Sequence, residues 1–374
     1  MFGVSKKIRV GLICVLLPYV LLQDDHVPLA AVREAPPSAS LLAPGSTYDP
    51  VQLGESDNDG ATVTLRYAFT DLPGLERTVA RPVALDAHTK HWIREQFAHR
   101  RPLWFIICHG IVKVFAYKWV AGALFDYPEL YMLSPAHWKD LLVPFLVRND
   151  ETPLRALDVG AGTGHVTSSY AGLFDQLVAT EVSQSYVWRL QHRGFDAYKT
   201  EVVSADSLGG QADFDVIFAL NVLDRHARPL RLLSEIARVL RPGGAMVLSV
   251  PLPVTQHDSG RYLPMLQTAP QSLGLKVGLV VGDDGYPDVS WEAAVSELVM
   301  TVLQPRGWHV LSVTRAPYMS SGGRGRTSPI VALDSVVIVA VRDTSGAASG
   351  SEGALPAPEV STDVEAGAND HREL

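Results

Sequence analysis

Three observations predict an α/β fold: apolar strands alternate with helical stretches, a glycine-rich loop follows the first of these strands, and an acid closes the second. The expected architecture is a doubly wound, mostly parallel, Rossmann-like sheet preceded by a helical extension. At 374 residues, 47% of them hydrophobic, the chain can bury a large core, which excludes wholesale disorder. The formal charge of −8, from 32 Lys and Arg against 40 Asp and Glu, argues against a nucleic-acid grip. Two cysteines, Cys14 and Cys108, are too few for a zinc cluster or a disulfide framework.

Lys6, Lys7 and Arg9 precede the apolar run Val10 to Leu22, and Gln23-Asp24-Asp25 ends it. This pattern predicts a secretory signal within residues 1–30, either cleaved or kept as an anchor; contact with a membrane is expected only through the uncleaved form. Residues 31–65 and 344–374 are expected to be disordered from their Pro, Ala, Ser and Gly content, the second being acidic as well. The chain ends in His371-Arg372-Glu373-Leu374, either a chance ending or a variant of the Lys-Asp-Glu-Leu retrieval signal. Read together, the two ends predict the secretory pathway and the endoplasmic-reticulum lumen. Between them, residues 66–150 are expected to form a helical extension or lid and residues 151–343 the sheet domain.

Within the extension, residues 88–125 space Trp92, Phe97, Trp104, Phe105, Val112, Phe115 and Trp119 as helices with a broad apolar face. A membrane span over 103–125 is the sharper reading, but His109, Lys113 and Lys118 favour a core or lid helix. His88 and His91 lie one turn apart, yet with no third ligand nearby a solvated face is expected rather than a metal pair. Ser134 before Pro135 predicts an N-cap and the start of another helix.

The sheet domain opens with the strand Leu154 to Val159, and then Gly160, Gly162 and Gly164 at alternate positions before a helix near His165. Glycine suits a sharp turn and any point where a Cβ would collide with a ligand. Asp158, at the strand end, either holds this loop or meets a cationic ligand through ordered water. The dinucleotide fingerprint spaces its glycines G-x-G-x-x-G. Here the order is G-x-G-x-G behind an acid, the usual mark of class I S-adenosylmethionine (SAM) enzymes. Leu177 to Glu181 reads as the second strand, and Glu181 is placed to accept ribose hydroxyls. Ala205-Asp206-Ser207 is expected to close a third strand, with Asp206 beside the adenine or simply capping a turn.

Phe214 to Leu220 is a buried-type strand that delivers Asn221-Val222-Leu223-Asp224-Arg225. Open α/β sheets bind ligands beyond the carboxyl ends of their strands, so Asn221 and Asp224 are expected where a reacting group meets the cofactor. Pro229 to Leu240 has helical spacing, Arg241-Pro242-Gly243-Gly244 breaks it, and Ala245 to Val250 resumes a strand.

Asp158 to Gly164, Ala179 to Ser183, Trp188-Arg189-Leu190-Gln191, Asn221 to Arg225 and Ala316-Pro317-Tyr318-Met319 resemble the methyltransferase-like 9 (DREV) family of SAM-dependent protein-histidine methyltransferases. Ser134-Pro135 and Ser290-Trp291-Glu292 fit the same order, and the likeness covers roughly Trp104 to Val341. The resemblance implies methylation of the pros nitrogen of histidines in His-x-His segments of proteins. It also implies SAM contacts at Asp158, Gly160, Gly162 and Glu181, and a substrate imidazole held by Asn221, Asp224 and Tyr318. Two stretches depart from the family pattern. His165 stands where animal members carry an acid, and Ser328-Pro329-Ile330 lacks their aromatic pair.

The expected chemistry turns on the imidazole tautomer. A carboxylate such as Asp224 that accepts the tele N–H leaves the pros nitrogen free to attack the methyl group and stabilises the charge that develops. Asn221 is open to three roles, bonding the cofactor, the substrate backbone or Asp224. Tyr318 either packs on the imidazole or is a core tyrosine, and Asp224 has the alternative of capping the turn before Pro229. Two rival activities remain: methylation of a small molecule, and a non-catalytic SAM-fold interaction module.

Overall fold

The computed structural model describes residues 29–34, 52–55, 61–98, 102–115, 118–146, 152–252, 273, 275, 290–321 and 330–342. The chain divides into a compact unit, Met1–Arg342, and a second, Asp343–Leu374, none of whose residues is described. The signal segment to Leu22, the acidic tail with its last four residues, and Ser328-Pro329 lie outside the described residues.

Residues 31–65 correct an expectation. Instead of lacking secondary structure, this stretch contributes to a three-stranded sheet of β1 (Leu29–Glu34), β2 (Gln52–Glu55) and β3 (Ala61–Leu65), in the order β1-β3-β2. Window composition averaged away a local signal: Ala61-Thr62-Val63-Thr64-Leu65 is dense in β-branched residues that favour a pleated strand.

The extension then forms α1 (Ala87–Ala98), α2 (Leu103–Phe115), α3 (Lys118–Phe125), the short β4 (Leu130–Tyr131) and α4 (Pro135–Leu142). Ser134 caps α4 as expected, its Oγ accepting the His137 N–H at 3.2 Å with Pro135 in the first turn. His91 faces solvent and pairs with Glu95, while His88 Nδ1 lies 3.1 Å from the Tyr131 hydroxyl. No metal-ligating cluster occurs among the described residues.

The alternation that follows is β5 (Arg155–Val159), α5 (His165–Tyr170), β6 (Gln176–Glu181), α6 (Gln184–His192), β7 (Asp196–Lys199) and β8 (Phe214–Leu220). It continues through α7 (Pro229–Val239), β9 (Leu240–Pro251), α8 (Trp291–Glu297), β10 (Trp308–Ser320) and β11 (Val331–Arg342). These build an eight-stranded sheet in the order β4-β10-β11-β9-β8-β5-β6-β7. The run β9-β8-β5-β6-β7 is parallel throughout; β11 enters antiparallel to β9 and to β10, which restores β10 to the direction of β8. This confirms the doubly wound, mostly parallel class I arrangement, and its strand order reverses between β5 and β8.

Strand β8 shows why the sequence reads as a continuous apolar run there. Ile217 and Ala219 enter the core beneath α7, with Leu232, Leu233 and Ile236, while Val216 and Phe218 enter the opposite core with Trp138 and Leu142. A strand covered on both faces needs apolar residues at every position. Tyr170 stacks on Phe218 at 3.9 Å between ring centres, and Trp138 meets Tyr170 edge-on at 5.3 Å. Through Trp138 and β4 the extension shares the core and the sheet of the following residues, so 66–150 and 151–342 are one compact unit.

The third strand lies earlier than expected. Asp196–Lys199 forms β7, and residues 200–208 are a loop ending in a short 3-10 turn, Asp206–Leu208. Here hydroxyls and a carboxylate take the backbone groups a ladder would have used. Thr200 Oγ1 accepts the Val202 N–H, Ser207 Oγ bonds both Val202 O and the Ser204 N–H, and Glu235 Oε2 accepts the Val203 N–H.

Candidate active site

The carboxyl ends of β5 and β8 meet at the switch point, and the predicted site residues collect there. Gly160, Gly162 and Gly164 all take left-handed φ values, 70°, 61° and 84°. At Gly160 a Cβ would come within 2.7 Å of Val222 Cγ2, so the loop can lie against the end of β8 only with glycine here. At Gly162 a Cβ would meet nothing within 4 Å, which leaves bare backbone facing open space. The Gly160 and Ala161 N–H groups bond Thr180 O at 2.9 and 3.1 Å, pinning the loop to the end of β6.

Asp158 turns its carboxylate toward α5, the helix that follows this loop. It is 3% exposed, and its Oδ2 accepts hydroxyl bonds from Thr167 and Tyr170, both on α5 and both at 2.6 Å. Burial pushes its pKa up to about 6 against the lowering pull of those two bonds.

Glu181 closes β6 with Oε1 on the Gly162 N–H and Oε2 on the Val182 N–H, each at 2.9 Å. Each oxygen keeps a lone pair for a ribose hydroxyl. Burial raises its pKa, opposed by those backbone bonds. Asp206 is exposed as the first residue of the 3-10 turn that follows β7, where Ala205 holds the capping position and no side-chain cap bond is made.

Asn221 follows β8 with φ 53°, a left-handed conformation that Asn tolerates better than most residues. Its N–H bonds Ser249 O and its Oδ1 accepts from Ser249 Oγ, both at 2.9 Å. The remaining Nδ2 is buried without a hydrogen-bond partner among the described residues. Asp224 lies in the next turn, Leu223–Arg225, where Oδ2 pairs with Arg225 Nη2 at 3.1 Å. Its Oδ1, too, is buried without a hydrogen-bond partner among the described residues. Tyr318 reaches the same edge from β10. Its pKa is raised by burial, with Arg225 and the Asn221 amide pulling it down and Asp224 pushing it up. The phenol therefore stays protonated in the neutral range.

Sequence reasoning missed several contributors. Ser249 fixes Asn221 from β9, and Tyr186 in α6 senses the charges of Glu181 and Tyr318. A clasp at the end of α3 also went unseen. Asp126 Oδ2 bonds Arg193 Nη2 at 2.6 Å and its Oδ1 lies 3.5 Å from His165 Nε2, while Arg193 Nε donates to Thr163 O. Arg189 donates to the carbonyls of Ala123 and Leu124. His165 belongs to this clasp; its Nδ1 lies 2.7 Å from Thr163 Oγ1. Burial drops its pKa to about 4, so the ring is neutral.

These features suit a nucleoside carrying a sulfonium. Bare loop backbone, an acid at the end of the second strand, and two unsatisfied polar atoms beside a phenol leave binding functions open on one sheet edge.

A family model described as DREV methyltransferase matches residues 68–340. Among curated proteins, the chain is 27% identical over 170 residues to the biotin biosynthesis bifunctional protein BioHC of Cellvibrio japonicus, covering 45% of this chain and 34% of that protein. It is 31% identical over 102 residues to a ubiquinone biosynthesis O-methyltransferase of Parvibaculum lavamentivorans, covering 26% of this chain and 40% of that one. The chain thus spans less than half the length of either relative. Among solved structures, a SAM-dependent methyltransferase from Anabaena variabilis is 16% identical with a TM-score of 0.39, covering 62% of this chain and 95% of that one.

Proposed function

The chain belongs to the DREV methyltransferase family and is a SAM-dependent methyltransferase, and we propose that its acceptor is the pros nitrogen of a histidine in His-x-His segments of proteins. The observation that carries this reading is Asp224 Oδ1, buried at the end of β8 without a hydrogen-bond partner among the described residues. A buried polar atom without a partner is costly, and a substrate that supplies the missing bonds removes that cost. Neutral imidazole offers one N–H donor and one lone pair. Asp224 Oδ1 accepts the tele N–H, which fixes the tautomer and leaves the pros lone pair to react.

SAM, when bound, supplies an electrophilic methyl group on sulfonium sulfur. As the imidazole becomes a cation, Asp224 stabilises the charge it gains and needs no change of its own protonation state. Arg225 holds the second Asp224 oxygen and so orients the carboxylate. Tyr318, protonated, offers a flat apolar ring with a hydroxyl toward the Asn221 amide. Glu181 and the Gly162 backbone are the proposed ribose and loop contacts, with Asp158 holding the loop from beneath. Asp206 is proposed beside the adenine from its place after β7.

The test is labelled SAM with a His-Ala-His peptide and its His-to-Ala counterpart, followed by chromatographic assignment of the methylated nitrogen. Pros-methylhistidine in the first peptide only supports the reading. Label entering a small molecule instead, or no transfer despite tight SAM binding, refutes it. Asp224→Ala is expected to cut turnover roughly 10³-fold while SAM affinity, measured by calorimetry, holds. Parallel loss of both would make Asp224 structural. The same proposal places the enzyme in the endoplasmic-reticulum lumen, on the strength of the basic and apolar residues Lys6 to Leu22 and the last four residues. Protease protection of the full chain in microsomes checks this.

A further inference from the structure

We propose that Ser249 is a positioning residue: its hydroxyl fixes the Asn221 amide with the carbonyl end inward and the NH2 end toward Tyr318, and so holds the phenol ring in place for the acceptor imidazole. The proposal deepens the histidine reading above and rests on it.

Ser249 lies in β9, in register with Leu220 of β8 on one side and Val337 of β11 on the other, and is fully buried. The surroundings are apolar: Phe218, Leu220, Val247, Val337 and Tyr318 pack in one core. A hydroxyl among such residues needs a hydrogen-bond partner, and Asn221 is the partner of this one. Asn221 leaves β8 with φ 53°, and Ser249 grips it at two points. Ser249 O accepts the Asn221 N–H, and Ser249 Oγ donates to Asn221 Oδ1, each at 2.9 Å.

An amide side chain has one acceptor end and one donor end. Ser249 occupies the acceptor end, so Nδ2 is what Asn221 presents on its other side. Tyr318 stands there. Burial raises the phenol's pKa, and the Asn221 amide is among the groups that pull it down, an effect that takes a donor aimed at the phenol oxygen. The line therefore has a direction. Ser249 donates to Asn221, and Asn221 turns its own donor to Tyr318. Without the hydroxyl the amide is free to flip, and its carbonyl then meets the phenol instead. Methyl transfer needs nitrogen, carbon and sulfur in line, so a ring that shifts with the amide misplaces the acceptor. Ser249 acts through these two residues.

The experiment compares Ser249→Thr, which keeps a hydroxyl, with Ser249→Val, its near-isostere without one, in the full chain. With labelled SAM and the His-Ala-His peptide, Ser249→Val is expected to lower kcat about three- to tenfold, the effect of one buried neutral hydrogen bond, with peptide KM unchanged. Ser249→Thr is expected to stay within about twofold of the parent, and SAM affinity is expected to hold in both. Equal losses in the two variants overturn the proposal, as does a loss confined to SAM affinity or thermal stability. In a Tyr318→Phe background Ser249→Val is expected to cost little more, because the line then ends on an apolar ring. An undiminished cost there also overturns it. Should the added bulk prevent folding, Ser249→Ala against the parent makes the same measurements. If the parent chain transfers no methyl group to the peptide, the histidine reading fails by itself, and NMR of the Asn221 side-chain amide decides this one. Its signals are expected to be sharp in the parent and in Ser249→Thr and exchange-broadened in Ser249→Val; signals alike in all three overturn the proposal.

Discussion

Around the glycine loop, two regions hold the site by different means. At the ends of β5 and β6 the backbone itself makes the surface: left-handed glycines bend the loop, and its N–H groups bond Thr180 O and Glu181. At the end of α3 the same loop is held by side chains from distant sequence, with Asp126 bonded to Arg193, 67 residues on, and Arg193 to Thr163 O. The first kind of contact needs one residue type at fixed spacing. The second needs only complementary charge in the right place, which many sequences can supply. The difference teaches where function is rigid in sequence and where it can drift. His165 lies within the clasp, its Nε2 3.5 Å from Asp126 Oδ1.

The largest effect is expected from removing Asp224, which lies after β8 beside the backbone-built loop, with its roughly 10³-fold loss of turnover. Next in size is Gly160→Ala, which forces a Cβ to 2.7 Å from Val222 at φ 70°. It is expected to weaken SAM binding by about 10- to 100-fold in calorimetry, the equivalent of about 1 to 3 kcal/mol of strain and lost fit. Gly162→Ala, whose added methyl meets open space, should cost less in the free protein and show its penalty only when SAM is titrated.

The clasp should yield smaller effects. Asp126→Ala removes a partly exposed partner of Arg193 and is expected to weaken SAM binding about three- to tenfold, with faster amide exchange across α3. A loss as large as that of Gly160→Ala would erase the contrast between the two regions.

A pH series distinguishes them further. Asp158 has its pKa raised to about 6, so the folded state binds its proton before the unfolded chain does. That contribution is full below about pH 4 and is lost as pH rises through 6. His165 has its pKa lowered to about 4, so the folded state resists a proton that the unfolded chain accepts near 6.5. Its contribution is present above 6.5 and is lost as pH falls toward 4. The two slopes oppose each other over pH 4 to 6.5. Denaturant unfolding is therefore expected to show Asp158→Asn losing stability as pH falls across that window. His165→Gln should gain stability over the same fall, and the parent chain should change least.

The match between reading and structure follows the same division. The strand β8, the cap at Ser134 and the loop from Gly160 to Gly164 were legible because each is a local rule: burial on both faces, a hydroxyl before a first turn, positive φ. The position of Asn221 and Asp224, directly after a buried strand, was legible too. The third strand was misplaced because Val202 and Val203 look like strand residues, and only folding shows Thr200, Ser207 and Glu235 satisfying that backbone. Residues 31–65 were misjudged through bulk composition, which hides a five-residue strand such as Ala61–Leu65.

By itself, then, the sequence determined the parallel sheet, the nucleoside loop and the acids at the strand ends, since backbone geometry and burial period leave few residue choices at those positions. The tertiary structure decided what those residues are free to do. It turned Asp158 inward onto Thr167 and Tyr170, left Asp224 Oδ1 and Asn221 Nδ2 unpartnered, and brought Asp126 to the loop. Such outcomes depend on which polar atoms meet in space, whether 9 residues apart at Asp158 and Thr167 or 67 apart at Asp126 and Arg193, and no local pattern encodes that meeting.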